Sequence, residues 1–370
     1  MRRILYFSRD YTTHDHRFLS KLAQTDDKIF YLRLEKRDHA LESRPLPPRV
    51  QAISWVGGQT PARFKDAYRL FHDLQRVIRE VNPDLIQAGP LQTCAFLVAL
   101  TGFQPLVSTS WGYDLLVYAG KNPFYRAITR FTLSKSGAFV GDCNTIRQLA
   151  IRYGMPDQRI ETFPWGVDLD HFTPPSPAND QSTHQHRFTL LSTRSWEPIY
   201  GVTAIARAFV SAAHQRPDMR LVMLGNGSRE NVLRKIFTDG GVIEKVNFPG
   251  HIGQADLPRY YHQADVYISA SHSDGTSISL LESLACACPV IVSDIPGNRE
   301  WVTPGVQGWL FPPDDHLTLA ELILQAYDRR SELAGMAKAA RQTAEGRANW
   351  DLNFPHLLQA YSIALTHAHV

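Results

Sequence analysis

Apolar residues fall into short uninterrupted runs separated by longer amphipathic stretches, the pattern of buried strands alternating with surface helices. Residues 4–7, 29–32, 84–87, 106–108 and 138–140 read as strands, and 18–24, 63–80, 92–100, 123–133 and 144–153 as helices. A second series follows, with strands over 187–192, 220–224, 246–248 and 266–268 and helices over 202–214, 230–237 and 257–263. Such alternation predicts an α/β protein whose mostly parallel sheets are covered on both faces, in two doubly wound domains. Segment 35–48, charged and holding three prolines, reads as a surface loop, and the Pro-rich polar run 173–186 as a domain boundary. Residues 350–365 again carry helical spacing.

The 370-residue length suits two domains, and 44% hydrophobic with 20% charged residues is a globular composition. No apolar run approaches the ~20 residues of a membrane span, and the start has no signal-peptide pattern, so a cytoplasmic protein is expected. The four cysteines, Cys94, Cys143, Cys286 and Cys288, lack metal-ligand spacing and read as reduced core residues. Net charge is +3, but residues 1–170 hold 23 Lys+Arg against 17 Asp+Glu and the remainder 16 against 19. A basic first half suits an anionic acceptor or a membrane surface. Basic residues concentrate over 63–79 and over 121–135, where Phe124, Tyr125 and Phe131 interleave with Arg126 and Arg130. Peripheral contact with an anionic membrane is the functional reading of those helices; one buried stripe and one solvated face is the plain one.

Chemistry concentrates between Ser271 and Pro313. Asp274 falls in a loop of small polar residues after strand 266–268, and Glu282 on a helix marked by Ile278, Leu281 and Ala285. The start of that helix offers backbone N–H groups at Ser277 and Ile278 and the positive end of a dipole, which suit a phosphate. Glu282 is placed to accept hydrogen bonds from the hydroxyls of a ribose, and Asp274 from hydroxyls at the other end of the same ligand. Two carboxylates about an anion site point to a nucleotide sugar. A capping box, with Ser, Thr or Asp opening the helix and Glu inside it, is the alternative.

This stretch resembles the retaining glycosyltransferases of family 4, whose pattern has a Glu-Gly loop, a second Glu eight residues on, and a Pro-Val strand. Those elements read here Asp274, Gly275, Glu282, Pro289 and Val290, followed by Asp294, Gly297, Glu300 and Gly308. Asp274 departs from the family's Glu by one methylene. Arg194 matches the Arg of the family's diphosphate site and Gly201 the glycine opening the next helix, while Tyr200 stands where the family has Lys. Gly225 and Gly227 match a position near the nucleotide, and Gly250-His251-Ile252 the loop flanking the base. Ser110-Trp111-Gly112-Tyr113-Asp114 resembles a His-Gly-x-Asp loop with Trp111 in place of His; an indole stacks on a sugar but takes no proton. Residues 163–168 resemble the interdomain crossing.

The resemblance implies the GT-B fold, two Rossmann-like doubly wound domains facing a central cleft. The acceptor-side domain would take residues 1–168 plus about 352–370, and the nucleotide-sugar domain 169–351. It further implies transfer of a sugar from a UDP or GDP sugar to a hydroxyl acceptor, with Arg194, Asp274 and Glu282 as catalytic residues. Gly201, Gly225, Gly227, His251, Gly275, Thr276, Ser277 and Ile278 would bind the donor. His14, His16, Trp111 and Asp114 would lie on the acceptor side. In the first loop, His14 and His16 with Arg9 and Arg17 suit a phosphate or acceptor hydroxyl; helix capping by Thr13 or Asp15 is the alternative. No metal, cofactor or nucleic acid is expected. Two other classes stay open: a nucleotide-sugar epimerase of the same fold using His14, His16 or His251 as acid and base, and a non-catalytic nucleotide-sugar binder. Hydrolases fit poorly, since no Gly-x-Ser-x-Gly elbow is present.

Overall fold

The alternation resolves into two all-parallel sheets in the computed structural model, which describes residues 1–36, 42, 44–176 and 187–367. Unit 1 comprises Met1–Phe163 and Phe354–Val370, and unit 2 Pro164–Asn353.

In unit 1, strands β1 (Arg3–Ser8), β2 (Lys28–Arg33), β3 (Val50–Ala52), β4 (Leu85–Gly89), β5 (Leu106–Thr109), β6 (Ala138–Gly141) and β7 (Ile160–Thr162) lie in the order β3-β2-β1-β4-β5-β6-β7. Helices α1 (Thr13–Leu22), α2 (Ala67–Val81), α3 (Cys94–Thr101), α4 (Ala119–Lys121), α5 (Pro123–Ser134) and α6 (Asn144–Arg152) connect them. In unit 2, β8 (Thr189–Ser192), β9 (Arg220–Leu224), β10 (Val246–Gly250), β11 (Val266–Ser269), β12 (Val290–Ser293) and β13 (Gly308–Phe311) run β10-β9-β8-β11-β12-β13. Their helices are α7 (Val202–Gln215), α8 (Glu230–Asp239), α9 (Leu257–His262), α10 (Ile278–Ala285), α11 (Pro296–Arg299), α12 (His316–Asp328) and α13 (Leu333–Arg347). The last helix, α14 (Trp350–His367), begins in unit 2 and ends in unit 1.

Strands covered on both faces need apolar side chains on both, which is why β1 and β12 read as unbroken runs. In unit 2 alternate residues serve two cores: Leu190, Ile268 and Ile291 pack with Phe209 and Ile323 from α7 and α12. Leu191, Tyr267 and Val292 pack with Leu281 and Ala344 from α10 and α13. Strands β3 and β7 escape the periodicity because each is a three-residue edge strand with a polar centre, Gln51 or Glu161. Helices α12 and α13 were not anticipated; the latter is rich in Ala and Gly, which blurs its apolar stripe.

Two expectations change. Glu35, placed in a surface loop, is buried, accepting from Arg9 Nε at 2.6 Å and from the Ala62 amide at 2.9 Å; residues 37–41 and 43 of that loop lie outside the described residues. Boundaries fall at Phe163/Pro164 and Asn353/Phe354, where 168 and 352 were expected. The reason is a backbone link inside unit 2: the Val167 amide donates to Ala348 O at 2.7 Å, and the Trp350 amide to Val167 O at 3.3 Å. Of the boundary run 173–186, residues 177–186 lie outside those described. All four cysteines are buried and none forms a disulfide among the described residues, and burial pushes the Cys288 thiol up to about 12. Among the described residues no helix is long and apolar enough to cross a membrane.

The first loop of unit 1 ends in a capping box. Thr12 accepts from the Asp15 amide at 3.4 Å while Asp15 Oδ2 accepts from the Thr12 amide at 2.8 Å. Asp15 is itself buried, its other oxygen accepting from Tyr6 Oη at 3.0 Å. Burial lifts its carboxyl from 3.8 to about 6, against the Thr12 hydrogen bonds that lower it. Because the folded value lies above the unfolded one, the folded chain holds the extra proton between them, and stability falls as pH rises through about 4 to 6. Relative to Asp15→Asn, the wild type should lose on the order of 3 kcal/mol of unfolding free energy across that window. Denaturant titrations of both proteins at pH 4 to 7 check this, and parallel stability profiles would contradict it.

Candidate functional site

The order of the unit 2 sheet reverses direction between β8 and β11, and a doubly wound sheet opens a crevice at such a point outside the carboxyl ends of its strands. Arg194 leaves β8 there and Asp274 leaves β11. They meet, with Arg194 Nη2 2.8 Å from Asp274 Oδ2. Arg194 Nη1 donates to Ser277 Oγ at 3.1 Å and to Ser279 Oγ at 3.3 Å, and the guanidinium lies over the Tyr200 ring at 4.1 Å. Both ion-pair side chains are largely covered, 14% and 21% exposed. Burial pulls the Arg194 guanidinium down, but the Asp274 carboxylate and then the surrounding tyrosines more than offset it, holding it above its ordinary value. Nε of Arg194 is enclosed with no acceptor among the described residues, so one donor of the fork stays uncommitted.

Ser277 is the N-cap of α10, yet its side chain makes no capping hydrogen bond and turns to Arg194 and, at 3.2 Å, Ser279 Oγ. The capping-box alternative therefore does not describe α10; the N-terminal amides of this helix receive no cap from Ser277, whose hydroxyl is turned to a cation. Gly275, Thr276 and Ser277 are buried, and Ile278 opens the helix. What holds the loop is Gly297 in α11: a Cβ there would stand 2.1 Å from Gly275 O and 2.7 Å from Asp274 O. Further support comes from Asn298, whose Nδ2 donates to Ser293 O at 2.8 Å, while Ser293 Oγ donates to Ser271 O.

Glu282 lies deeper than the sequence suggested, at 3% exposure. Its Oε1 accepts from Gln254 Nε2 at 3.1 Å and its Oε2 from Tyr261 Oη at 3.0 Å. Burial first, and the nearby Glu282 charge second, push the Tyr261 phenol well up, so it remains a donor at neutral pH. Tyr267 joins the set by donating to Ser279 Oγ at 2.9 Å. Neither tyrosine nor Gln254 is suggested by any motif. Tyr261 and Tyr267 come from helix and strand positions that read as core, and Gln254 from the turn before α9.

The neighbouring turns are stitched to Arg194. The Trp196 amide donates to Asn226 O at 2.8 Å, the Gly225 amide to Gly250 O at 2.7 Å, and Trp196 Nε1 to Leu224 O at 3.0 Å. Gly227 lies against this turn, where a Cβ would meet Trp196 O at 2.6 Å. Gly201 combines a left-handed φ of +59° with a backbone approach that puts a Cβ 2.1 Å from Ala270 O, so only glycine fits between the Arg194 turn and the end of β11. His251 follows β10 and is exposed.

In unit 1 the reversal lies between β1 and β4. Trp111 sits at that point: a Cβ on Gly89, the last residue of β4, would be 3.1 Å from its Nε1. Its ring lies 5.5 Å from His14 and edge-on to Phe18 at 5.8 Å. His16 is separate, its Nδ1 2.7 Å from Tyr11 Oη, and burial and then the Arg44 charge lower its pKa. Asp114 is internal, accepting from Ser110 Oγ and from the Leu91 and Leu115 amides at 3.1 and 3.0 Å. Burial raises its carboxyl and these hydrogen bonds oppose that. Here the structure gives Asp114 the task of bracing the Trp111 loop. No group of three or more His, Cys, Asp or Glu among the described residues is arranged to hold a metal.

Comparison with known proteins places both halves in one context. Residues 13–171 match the family model for Glycosyltransferase Family 4, and residues 179–343 that for Glycosyl transferases group 1. A GDP-mannose-dependent monoacylated alpha-(1-6)-phosphatidylinositol monomannoside mannosyltransferase of Corynebacterium glutamicum is 26% identical over 304 residues, covering 76% of this chain and 77% of that protein. D-inositol 3-phosphate glycosyltransferases also match, over about half of their own length. Among solved structures, sucrose-phosphate synthase from Thermosynechococcus elongatus superposes with a TM-score of 0.81 at 17% identity, covering 98% of each chain. Anabaena HepE in complex with UDP-glucose does so at 0.79 and 17%, over 97% of this chain and 99% of that one. These are GT-B glycosyltransferases, and the expected fold of two Rossmann-like units stands.

Because Gly297 abuts the Asp274–Gly275 backbone, Gly297→Ala must displace it. The expected cost is about 1–3 kcal/mol, as for other overpacking changes. Thermal melting reads that cost; a variant that melts with the wild type would show that the loop is not held by this contact.

Proposed function

The chain belongs to glycosyltransferase family 4, and on that premise we propose that it transfers a sugar, with retention at the anomeric carbon, from a nucleoside diphosphate sugar to a hydroxyl acceptor. The observation that carries the reading is Arg194 at the β8/β11 reversal, its guanidinium reaching the uncapped start of α10. A diphosphate placed there meets a fixed cation and helix amides together. Glu282 accepts from the ribose hydroxyls, with Gln254 and Tyr261 fixing the carboxylate. The turns at Gly225, Gly227 and His251 flank the nucleotide, and Gly275 and Thr276 let the diphosphate approach. UDP or GDP is the proposed nucleotide, the class carried by the names of a mannosyltransferase relative and a UDP-glucose-bound neighbour.

In the free protein Asp274 neutralises Arg194. An incoming diphosphate takes the guanidinium, which releases the carboxylate to accept from the sugar's hydroxyls; donor binding is thus an exchange of partners. In the reaction the bond from the anomeric carbon to the diphosphate oxygen breaks and a bond to the acceptor oxygen forms. The acceptor's proton passes to the departing phosphate. Negative charge grows on the diphosphate as the bond stretches, so Arg194 and the Ser277 and Ile278 amides act on the transition state more than on the bound donor. Since the leaving group takes the proton, Trp111 in place of a histidine costs no base. With His14, it offers an aromatic face to the acceptor.

A thermal-shift panel of UDP, GDP and ADP with their sugars tests the donor class, because a ligand at a hundredfold its Kd adds about 2.7 kcal/mol. If none shifts the melting temperature, the donor assignment fails. Glu282→Gln should weaken the bare nucleotide roughly tenfold or more, the worth of a charge-assisted hydrogen bond; unchanged affinity in a folded variant would remove Glu282 from the ribose.

Arg194→Ala should lower turnover at least about a hundredfold, on the order of 3 kcal/mol, with a smaller effect on donor affinity. Asp274→Asn should leave nucleoside diphosphate affinity equal or improved, since a competitor for Arg194 is gone, while turnover falls. Calorimetry with the nucleotide and assays of nucleotide release separate these outcomes. A loss of nucleotide affinity in Asp274→Asn would refute the exchange.

A further inference from the structure

Unit 1 carries two basic helical surfaces, and the structure separates them. On α2 and the turn before it, acids interleave with the bases: Arg69 lies 3.9 Å from Asp66, and Arg76 lies 2.6 Å from both Asp73 and Glu80. Much of the charge there is spent within the helix. Residues 115–141 contain Lys121, Arg126, Arg130 and Lys135 and not one Asp or Glu. All four are exposed, and among the described residues none takes part in an ion pair. Four like charges kept without counter-charges over α4 and α5 attract an external polyanion.

Aromatic side chains accompany them. Tyr118 stacks on Tyr125 at 5.3 Å, Tyr113 meets Tyr118 edge-on at 4.8 Å, and the Lys121 ammonium lies 5.5 and 5.9 Å from the rings of Tyr118 and Tyr125. At the ends of this ladder Phe124 is 61% and Tyr113 46% exposed. The turn bearing Phe124 is fixed by Asn122, which caps the Tyr125 amide at 2.9 Å, and by Pro123 at the first helical position. Buried Ile128, Thr129, Thr132 and Leu133 hold the opposite side of α5 to the unit.

We infer that the α4–α5 edge is a docking surface for an anionic lipid bilayer, with Lys121, Arg126, Arg130 and Lys135 on the headgroups and Phe124 and Tyr113 in the interfacial layer. A phosphate polyanion explains the charge but not exposed apolar rings beside it; a headgroup layer over hydrocarbon accommodates both. The surface is built from unit 1 residues alone and serves whatever sugar is transferred.

Sedimentation of the full chain with vesicles tests this. Binding is expected to phosphatidylcholine vesicles containing 30% phosphatidylserine and not to phosphatidylcholine alone. Lys121→Ala/Arg126→Ala/Arg130→Ala should lower the partition coefficient by two orders of magnitude, about fivefold per charge. Arg63→Ala/Lys65→Ala/Arg79→Ala, which removes exposed bases at α2, should leave it within about threefold. Phe124→Ser should weaken binding and make the remainder fully reversible by salt. Circular dichroism melts confirm that each variant is folded. Equal losses in the two triple variants would overturn the assignment to α4–α5, and a Phe124→Ser protein that binds vesicles like the wild type would mark a surface for soluble polyanions or acidic proteins instead.

Discussion

A guanidinium taken mostly out of water needs a counter-charge and acceptors, and unit 2 is arranged around giving them to the two terminal nitrogens of Arg194. Asp274 supplies the charge, Ser277 and Ser279 accept two of its hydrogen bonds, and the Tyr200 face covers it. Each partner comes from a different stretch of chain, so the pair fixes the loop after β8 against the loop after β11. Two backbone approaches that tolerate no side chain, Gly201 on Ala270 and Gly297 on Gly275, keep those loops at the required separation. An ion pair so placed adds little net stability, because desolvation offsets the attraction; its value lies in direction. It keeps a cation at the crevice with its orientation fixed.

Much of this was legible in the sequence because loops at strand ends carry charge where cores do not. Asp274 and Glu282 stood out as charged residues next to apolar runs, and Arg194 through its match to the family's diphosphate site. That the first two hold each other did not, since side chains eighty positions apart meet only through the order of the strands. Tyr261 and Gln254 were invisible for another reason: on a short helix and turn they look like packing, and only the buried Glu282 carboxylate turns them into donors. The gap at Tyr200 was read as a lost charge; the ring turns out to be the floor under the remaining one. Asp114 matched a pattern, and what the pattern did not reveal is that its carboxylate is buried and braces its own loop.

The parallel sheets themselves were readable wherever strands are sandwiched, and faded at the edges. β3 and β7 are covered on fewer sides, so polar residues enter them and the period-two or unbroken apolar signal vanishes. The corresponding reversal point in unit 1 is filled by Trp111 against Gly89, His14 and Phe18. The two units thus use the same topological position for different chemistry, an aromatic wall in one and a cation in the other.

The hydroxyl of Ser277 has a further meaning for how such a protein changes. A helix whose N-cap side chain looks elsewhere forgoes the roughly 0.5–2 kcal/mol that a proper cap provides. Selection for heat resistance acting on stability alone would find this turn an easy place to improve, by a residue that bonds back to the helix. At the diphosphate site proposed above, every such gain would close the amides offered to the donor, so lineages that keep that site under thermal pressure must harden α10 from its far end or from α13.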